Sequence, residues 1–214
     1  MAEDLDPLPS LPSCVADEKK YLRKVLGECR SNLPDDYVAA LSRKIQFRVL
    51  SSSFYRAAPT LVLYAATDNE VRTDLLIKHA LASDRRLFLP RIRQNSRELS
   101  FVRLRDCAEL APGSFGILEP TGTELLPPAD FGQALFVVPG VAFSPTGQRL
   151  GRGGGYYDRT LAAVGRQTLT AGLAYSFQML DRLPQSSCDR RLKVIFTESA
   201  THAGAALDSP IVAV

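Results

Sequence analysis

The chain has no tryptophan and only two histidines, His79 and His202, which excludes a metal centre built on histidine. Its four cysteines, Cys14, Cys29, Cys107 and Cys188, lie far apart and form no CxxC pair. In a chain of this size that points to reduced thiols, not a disulfide framework or a zinc site. Charge of one sign is also scarce: 26 Lys+Arg against 23 Asp+Glu leaves +3, less than a nucleic-acid footprint usually carries. No run approaches the ~18 apolar residues of a membrane span. The most apolar stretch, ALFVVPGVAF, is cut by Pro139 and Gly140. At the start, MAEDLDPLPSLPSC carries Glu3, Asp4 and Asp6 where a signal peptide needs a basic and then an apolar region. These absences predict a cytoplasmic protein that acts on neither membranes nor nucleic acid.

What is present is ordinary globular material: 45% hydrophobic and 23% charged residues over 214 positions. One domain is expected, with a core large enough to need no covalent or metal staple. We read residues 1–16, acidic and rich in proline, as a flexible leader, 17–200 as the domain and 201–214 as a C-terminal tail. From Asp17 the pattern is helical, with Tyr21, Leu22, Val25, Leu26 and Cys29 on one stripe. Lys19, Lys20, Arg23, Lys24 and Arg30 lie opposite. A second helix follows Pro34, with Asp35 and Asp36 in its first turn and Val38, Leu41, Ile45 and Val49 facing the core.

Strands and helices then alternate. Thr60–Ala65 has strand length, and Asp68 or Asn69 is placed to cap a helix burying Val71, Leu75 and Leu76. Leu87–Leu89 and Leu99–Leu104 read as strands joined by a polar turn. Pro112–Pro128 holds three glycines and four prolines and reads as loop. Leu135–Val138 is apolar throughout, as strands buried on both faces of a parallel sheet are. A helix over Tyr156–Val164 and strands near Thr168–Ala174 and Val194–Thr197 complete the chain. This alternation predicts a three-layer α/β/α domain with a mainly parallel central sheet and its ligand at the carboxyl ends of the strands.

The most informative segment is VVPGVAFSPTGQRLGRGGGYYDRTL, Val137–Leu161. It passes from a buried strand through a Ser-Pro-Thr-Gly turn into four glycines between Gly151 and Gly155, and then into a helix. Glycines let the backbone approach a ligand and aim successive N–H groups at it. The helix N-terminus behind them, with Arg149 and Arg152, makes a cradle suited to phosphate. It is not a Walker A loop, since no Lys-Ser/Thr follows, and not GxGxxG, since Tyr156 fills the last position. A glycine loop with no ligand is the plain alternative.

LGRGGGYYDR after VVPG, preceded by SPTGQR, resembles the signature of the 5-formyltetrahydrofolate cyclo-ligase (5,10-methenyltetrahydrofolate synthetase) family. The likeness runs over roughly Glu18–Glu198, through KKYLRK near the start, the acidic turn around Ala65–Glu70 and a late Leu-Pro…Asp. It implies a fold like that of sugar-phosphate isomerases and CoA transferases. The activity it implies is an ATP- and Mg²⁺-dependent ring closure: the formyl oxygen of 5-formyltetrahydrofolate is phosphorylated, N10 closes the ring, and methenyl product, ADP and phosphate leave. A monomer or weak dimer is expected.

Carried onto this sequence, the resemblance assigns the ATP site to Lys19, Lys20, Tyr21, Leu22 and Arg23 on the first helix and to Arg149, Leu150, Gly151, Arg152, Gly153, Gly154, Gly155, Tyr156 and Tyr157. Ala65, Glu70, Arg152 and Tyr156 would meet the folate, with Arg152 and Tyr156 nearest the chemistry. Asp158 and Asp189 would bind Mg²⁺. Each has a simpler reading: a solvated basic face for Lys19 and Arg23, core aromatics for the tyrosines, a helix-dipole partner for Asp158 or Glu70, a surface Asp for Asp189. Some relatives carry a lysine where this chain has Gly154, which removes one phosphate cation. His79 is expected to be structural, and Cys188 has no histidine–acid pair to activate it. The rival functions are a sugar-phosphate isomerase-like enzyme, which needs no ATP, and a non-catalytic nucleotide- or RNA-binding relative.

Overall fold

The computed structural model describes residues 14–204. Most of the expected leader and the end of the expected tail lie outside the described residues. Helix α1 (Val15–Ser31) is followed by α2 (Asp35–Leu50) and the short α3 (Ser53–Ala57). Strand β1 (Thr60–Val62) leads through an irregular segment to α4 (Asp74–Leu81), and a hairpin of β2 (Arg86–Ile92) and β3 (Leu99–Leu104) follows. A small hairpin, β4 (Leu110–Pro112) and β5 (Leu118–Pro120), then precedes β6 (Ala134–Val138). A second small hairpin, β7 (Ala142–Phe143) and β8 (Arg149–Leu150), leads to α5 (Tyr156–Ala163). Strands β9 (Leu169–Leu173), β10 (Val194–Phe196) and β11 (Thr201–Ala203) close the described chain.

Seven strands form one sheet in the order β11-β10-β9-β6-β1-β2-β3. The inner five are parallel, and β3 and β11 run antiparallel at the two edges. Alternate residues face alternate layers. Leu61, Leu63, Leu87, Leu89, Leu135 and Val137 join one apolar cluster with α2, α3 and α4, while Val62, Phe88, Phe136, Val138 and Ile195 join another with α5. That gives the three-layer α/β/α domain read from the sequence. Val38, Leu41, Ile45 and Val49 are all buried, as the helical spacing of α2 required.

The order also fixes where a ligand can enter. From β1 the chain winds one way to β2 and the other way through β6, β9 and β10, so the topology reverses between β1 and β6. At such a reversal the connections leave in opposite directions and open a crevice beyond the carboxyl ends of the two strands.

Several local expectations need correction. In α1, Tyr21 is 50% exposed and Cys29 is exposed, whereas Arg30 is buried. Of the expected stripe, Leu22 and Leu26 do turn inward onto Val141, Leu150 and Leu183, but Lys19, Arg23 and Arg30 turn inward beside them, because the rest of the surface α1 covers is polar. Asp68 and Asn69 cap no following helix; both adopt left-handed backbone at φ 49° and 55°. Asn69 instead donates from Nδ2 to the carbonyls of Arg30, Ser31 and Leu33 (3.1–3.3 Å), closing the C-terminal end of α1. Gln46 takes over at α4, its Oε1 accepting the N–H groups of Leu75 and Leu76 at 2.9 and 3.2 Å. Pro112–Pro128 is not wholly loop, since it holds β5 and the end of β4, and residues 201–203 extend the sheet at its edge.

Candidate active site

The crevice at the reversal holds a cavity of ≈ 490 Å³, within the usual size of small-molecule sites. Tyr64 and Ala65, just past β1, and Pro139 and Gly140, just past β6, form its base. The residues 151–158 line one wall and the turn Thr67–Glu70 another. The third is apolar: Pro90, Ile92 and Leu99 from the edge hairpin, with Phe115 and Ile117 from the loop between β4 and β5. Phe115 is 82% exposed and sits in left-handed backbone at φ 57°.

The glycine wall has the geometry of an anion cradle. Gly153 (φ 101°) and Gly155 (φ 72°) adopt backbone that a side chain disfavours, and Gly155 starts α5 with no side-chain cap. The first N–H groups of an α-helix have no acceptor within it, and the first turn of α5, Tyr156 to Asp158, lies in the cavity lining at the positive end of the dipole. Arg149 lies behind this wall: its side chain is 2% exposed, Nη1 donates to the Pro139 carbonyl at 3.0 Å and Nη2 to Asp158 Oδ1 at 2.6 Å. Its buried Nε has no hydrogen-bond partner. Arg23 reaches across from α1 and donates from Nε to the Gly151 carbonyl at 2.8 Å, tying that helix to the loop.

Opposite, Glu70 is a buried carboxylate between two guanidinium groups. Arg152 donates to Glu70 Oε1 from Nε (3.2 Å) and Nη2 (2.9 Å), and to Asp68 Oδ2 from Nη1 (2.6 Å). Arg30 Nη1 stands 3.9 Å from the same Oε1. Burial pushes the Glu70 carboxyl above its ordinary value although Arg152 and Arg30 oppose the shift. Asp68 moves the other way, held low by the hydrogen bond from Arg152. Burial drives the phenols of Tyr64 and Tyr157 upward, so both are neutral donors.

Of the residues expected at the site, Ala65, Glu70, Arg149, Asp158 and all of 151–157 line this one cavity. Leu150 lies underneath, packed with Leu26, Val141 and Leu22. None of Lys19, Lys20, Tyr21, Leu22 and Arg23 lines the cavity; Lys20 and Tyr21 are exposed and the other three half-buried. Lys19 and Asp189 meet each other: Nζ to Oδ2 is 2.5 Å, and Lys19 also donates to Ser186 Oγ. Burial works to raise Asp189, but Lys19 and the Ser186 N–H outweigh it and leave the carboxyl low. His79 is structural, its Nδ1 3.0 Å from the Tyr55 hydroxyl.

Sequence reasoning missed Arg30, Tyr64, Asp68 and Phe115. Arg30 continued the spacing Lys19, Arg23, Leu26, and Phe115 was an aromatic beside a glycine in a loop; either signal was there to use.

The sequence profile of the 5-formyltetrahydrofolate cyclo-ligase family matches residues 15–198. The chain belongs to this family. A 5-formyltetrahydrofolate cyclo-ligase of Haemophilus influenzae is 29% identical over 80% of this chain and 93% of its own. The solved structure of Aquifex aeolicus 5,10-methenyltetrahydrofolate synthetase superposes with a TM-score of 0.77 at 34% identity, covering 92% of this chain and 96% of that one. The corresponding synthetase of Mycoplasma pneumoniae gives 0.68 at 27% identity, over 85% and 99%. Membership in the cyclo-ligase family sets aside the isomerase alternative. The cavity described above is therefore the place to look for cyclo-ligase chemistry.

For a divalent cation, the test is the donor set. No three His, Cys, Asp or Glu side chains gather to cage a metal among the described residues. One carboxylate at the cavity wall, Asp158, still suits Mg²⁺, which takes few protein ligands and fills the rest with phosphate oxygens and water. No helix of the described residues is long and apolar enough to cross a membrane.

Proposed function

We propose that the protein closes 5-formyltetrahydrofolate to 5,10-methenyltetrahydrofolate with consumption of ATP. The observation that carries this reading is that a glycine-built anion cradle and a buried carboxylate face each other across one cavity. The first suits a polyphosphate and the second a 2-amino-pyrimidinone ring.

The difficulty of the reaction is that an amide-type oxygen is a poor leaving group. Its attack on the γ-phosphorus of ATP, with ADP departing, turns it into a phosphate ester; N10 then attacks the formyl carbon, the C–O bond breaks and phosphate leaves. The protein's share is alignment and charge balance. In our reading the amides of 153–157 and the charges of Arg149, Arg152 and Arg23 hold the triphosphate tail. Asp158 would hold Mg²⁺, which when bound spreads the tail's negative charge. Lys19, neutralised by Asp189, would support the outer end of the α1 face, leaving Asp189 a partner of Lys19 before a metal ligand. Glu70 accepts two N–H groups of the pterin edge. Tyr156 closes the gap between the two ligands, and Ile92, Leu99 and Phe115 cover the flat aminobenzoyl ring and keep water off the activated carbon.

The test is direct. Purified protein given 5-formyltetrahydrofolate, ATP and Mg²⁺ is expected to generate the absorbance of the methenyl product, and to stop when ATP is omitted. Product without ATP, or none with it, overturns the proposal; the second outcome would favour a non-catalytic relative.

A further inference from the structure

Arg152 rests on Glu70, the group that our reading gives to the pterin. Both of its contacts use Oε1, while Oε2 accepts the Thr67 N–H at 3.3 Å. A ring edge with two neighbouring N–H donors needs both oxygens, so substrate and Arg152 compete for the same atom. The two arginines at Glu70 are not equivalent. Arg152 sits on the glycine loop with its side chain 44% exposed, so the partners it holds, Glu70, Asp68 and the Thr67 carbonyl, can be exchanged at the cavity surface. Arg30 comes from the last turn of α1 with its side chain 6% exposed. Its Nη1 reaches the Gly140 carbonyl at 3.5 Å and Glu70 Oε1 at 3.9 Å, and its buried Nε has no partner. A guanidinium buried with unmet donors is costly to keep unless a charge beside it needs balancing.

We propose that Arg30 is a positioning residue for the folate: it is the fixed counter-charge of Glu70, which lets Arg152 leave Glu70 for the incoming substrates. The proposal rests on Glu70 being the pterin acceptor. The groups facing Glu70 are Arg30 from α1, Arg152 from the glycine loop, Asp68 and Thr67 from its own turn, Tyr64 past β1 and Tyr157 from α5. The tyrosines are neutral and Asp68 is negative. Once Arg152 has moved, Arg30 is the positive charge left beside the carboxylate among the described residues. The released Arg152 faces the cradle from the same cavity, where a phosphoryl group is its natural partner.

Steady-state kinetics of Arg30→Met, Arg30→Lys, Glu70→Gln and the double variant, followed by methenyl absorbance across pH, test this. Arg30→Met is expected to raise KM for 5-formyltetrahydrofolate on the order of tenfold or more, with KM for ATP unchanged. The acid limb of kcat/KM for folate should move to higher pH, because Glu70 must be ionised and loses its proton later without Arg30. Arg30→Lys keeps the charge and should leave that limb in place. In the Glu70→Gln background, Arg30→Met should raise KM for folate no further. A wild-type folate KM and acid limb in Arg30→Met, or an additive loss in the double variant, overturns the proposal. Should Arg30→Met fail to fold, the double variant, which buries no charge there, and Arg30→Lys still decide. A wild-type folate KM in Glu70→Gln instead removes the reading of Glu70, and Arg30's role with it.

Discussion

One carboxylate, Asp158, stands between a buried guanidinium and the place proposed for a cation. Arg149 is enclosed and depends on Asp158 Oδ1 for its charge partner. Removing one member of a buried pair costs about 3–5 kcal/mol; with Asp158 at 30% exposure the cost falls to about 1–2 kcal/mol. Asp158→Asn is therefore expected to unfold at lower urea and to need far more Mg²⁺ for turnover. Wild-type metal dependence would take Asp158 off the metal. The pair of Lys19 and Asp189 makes a prediction of opposite kind. Asp189 ionises below its ordinary value of 3.8 in the folded protein, so its contribution to stability is complete above that pH and is lost as pH falls through the lower folded value. Asp189→Asn should lower stability at neutral pH, where the contribution is complete, and flatten the acid side below about pH 4, so that variant and wild type converge in acid; an unchanged neutral stability and acid side would mean that the pair adds nothing. Residues were legible in the sequence where the site is contiguous, as from Arg149 to Asp158. Arg30 and Phe115 left only local hints, the continued spacing of α1 and an aromatic beside a glycine, and Tyr64 left none, because what brings two of them to the cavity and Arg30 to Glu70 is contact between distant segments.

Among the elements, α1 lines none of the cavity but backs it, presenting Lys19, Arg23 and Arg30 inward on one face. Apolar spacing locates Leu22 and Leu26, which pack on Val141, Ala142 and Leu150. It does not locate Lys19, Arg23 and Arg30, which are drawn to the same side by polar partners, Asp189, the glycine loop and Glu70. Gly27 sits within the same helix with nothing within 4 Å of where a Cβ would be. Gly27→Ala should therefore stabilise by about 0.5–1 kcal/mol through helix propensity alone, raising Tm while leaving both KM values as they are. A lower Tm would mean that α1 packs more tightly than its surroundings indicate. The opposite case is β6, whose continuous apolar run correctly announced a strand covered on both faces. Phe136 meets Phe101 and Phe131 edge-on at 5.2 and 5.4 Å, and Phe136→Ala should cost about 3–5 kcal/mol in denaturant unfolding. A loss under about 1 kcal/mol would show that the aromatic cluster closes over the gap.

In the whole molecule, function follows from strand order. Because the winding reverses between β1 and β6, the turn bearing Glu70 and the loop bearing the glycines are delivered to the same crevice from opposite sides. The alternation of strands and helices made the layered fold readable, but the order of strands depends on contacts between residues far apart in sequence, which periodicity does not carry. The short hairpin β7–β8 and the edge strand β11, only two and three residues long, left too little pattern to detect. The central claim is that this crevice brings the formyl oxygen of the folate onto the terminal phosphorus of ATP. The most direct measurement uses 5-formyltetrahydrofolate labelled with oxygen-18 in its formyl group, turned over once with ATP and Mg²⁺, with the mass of the released phosphate read by spectrometry. The account predicts that the heavy oxygen appears in inorganic phosphate; unlabelled phosphate, with the label lost to water, would contradict it.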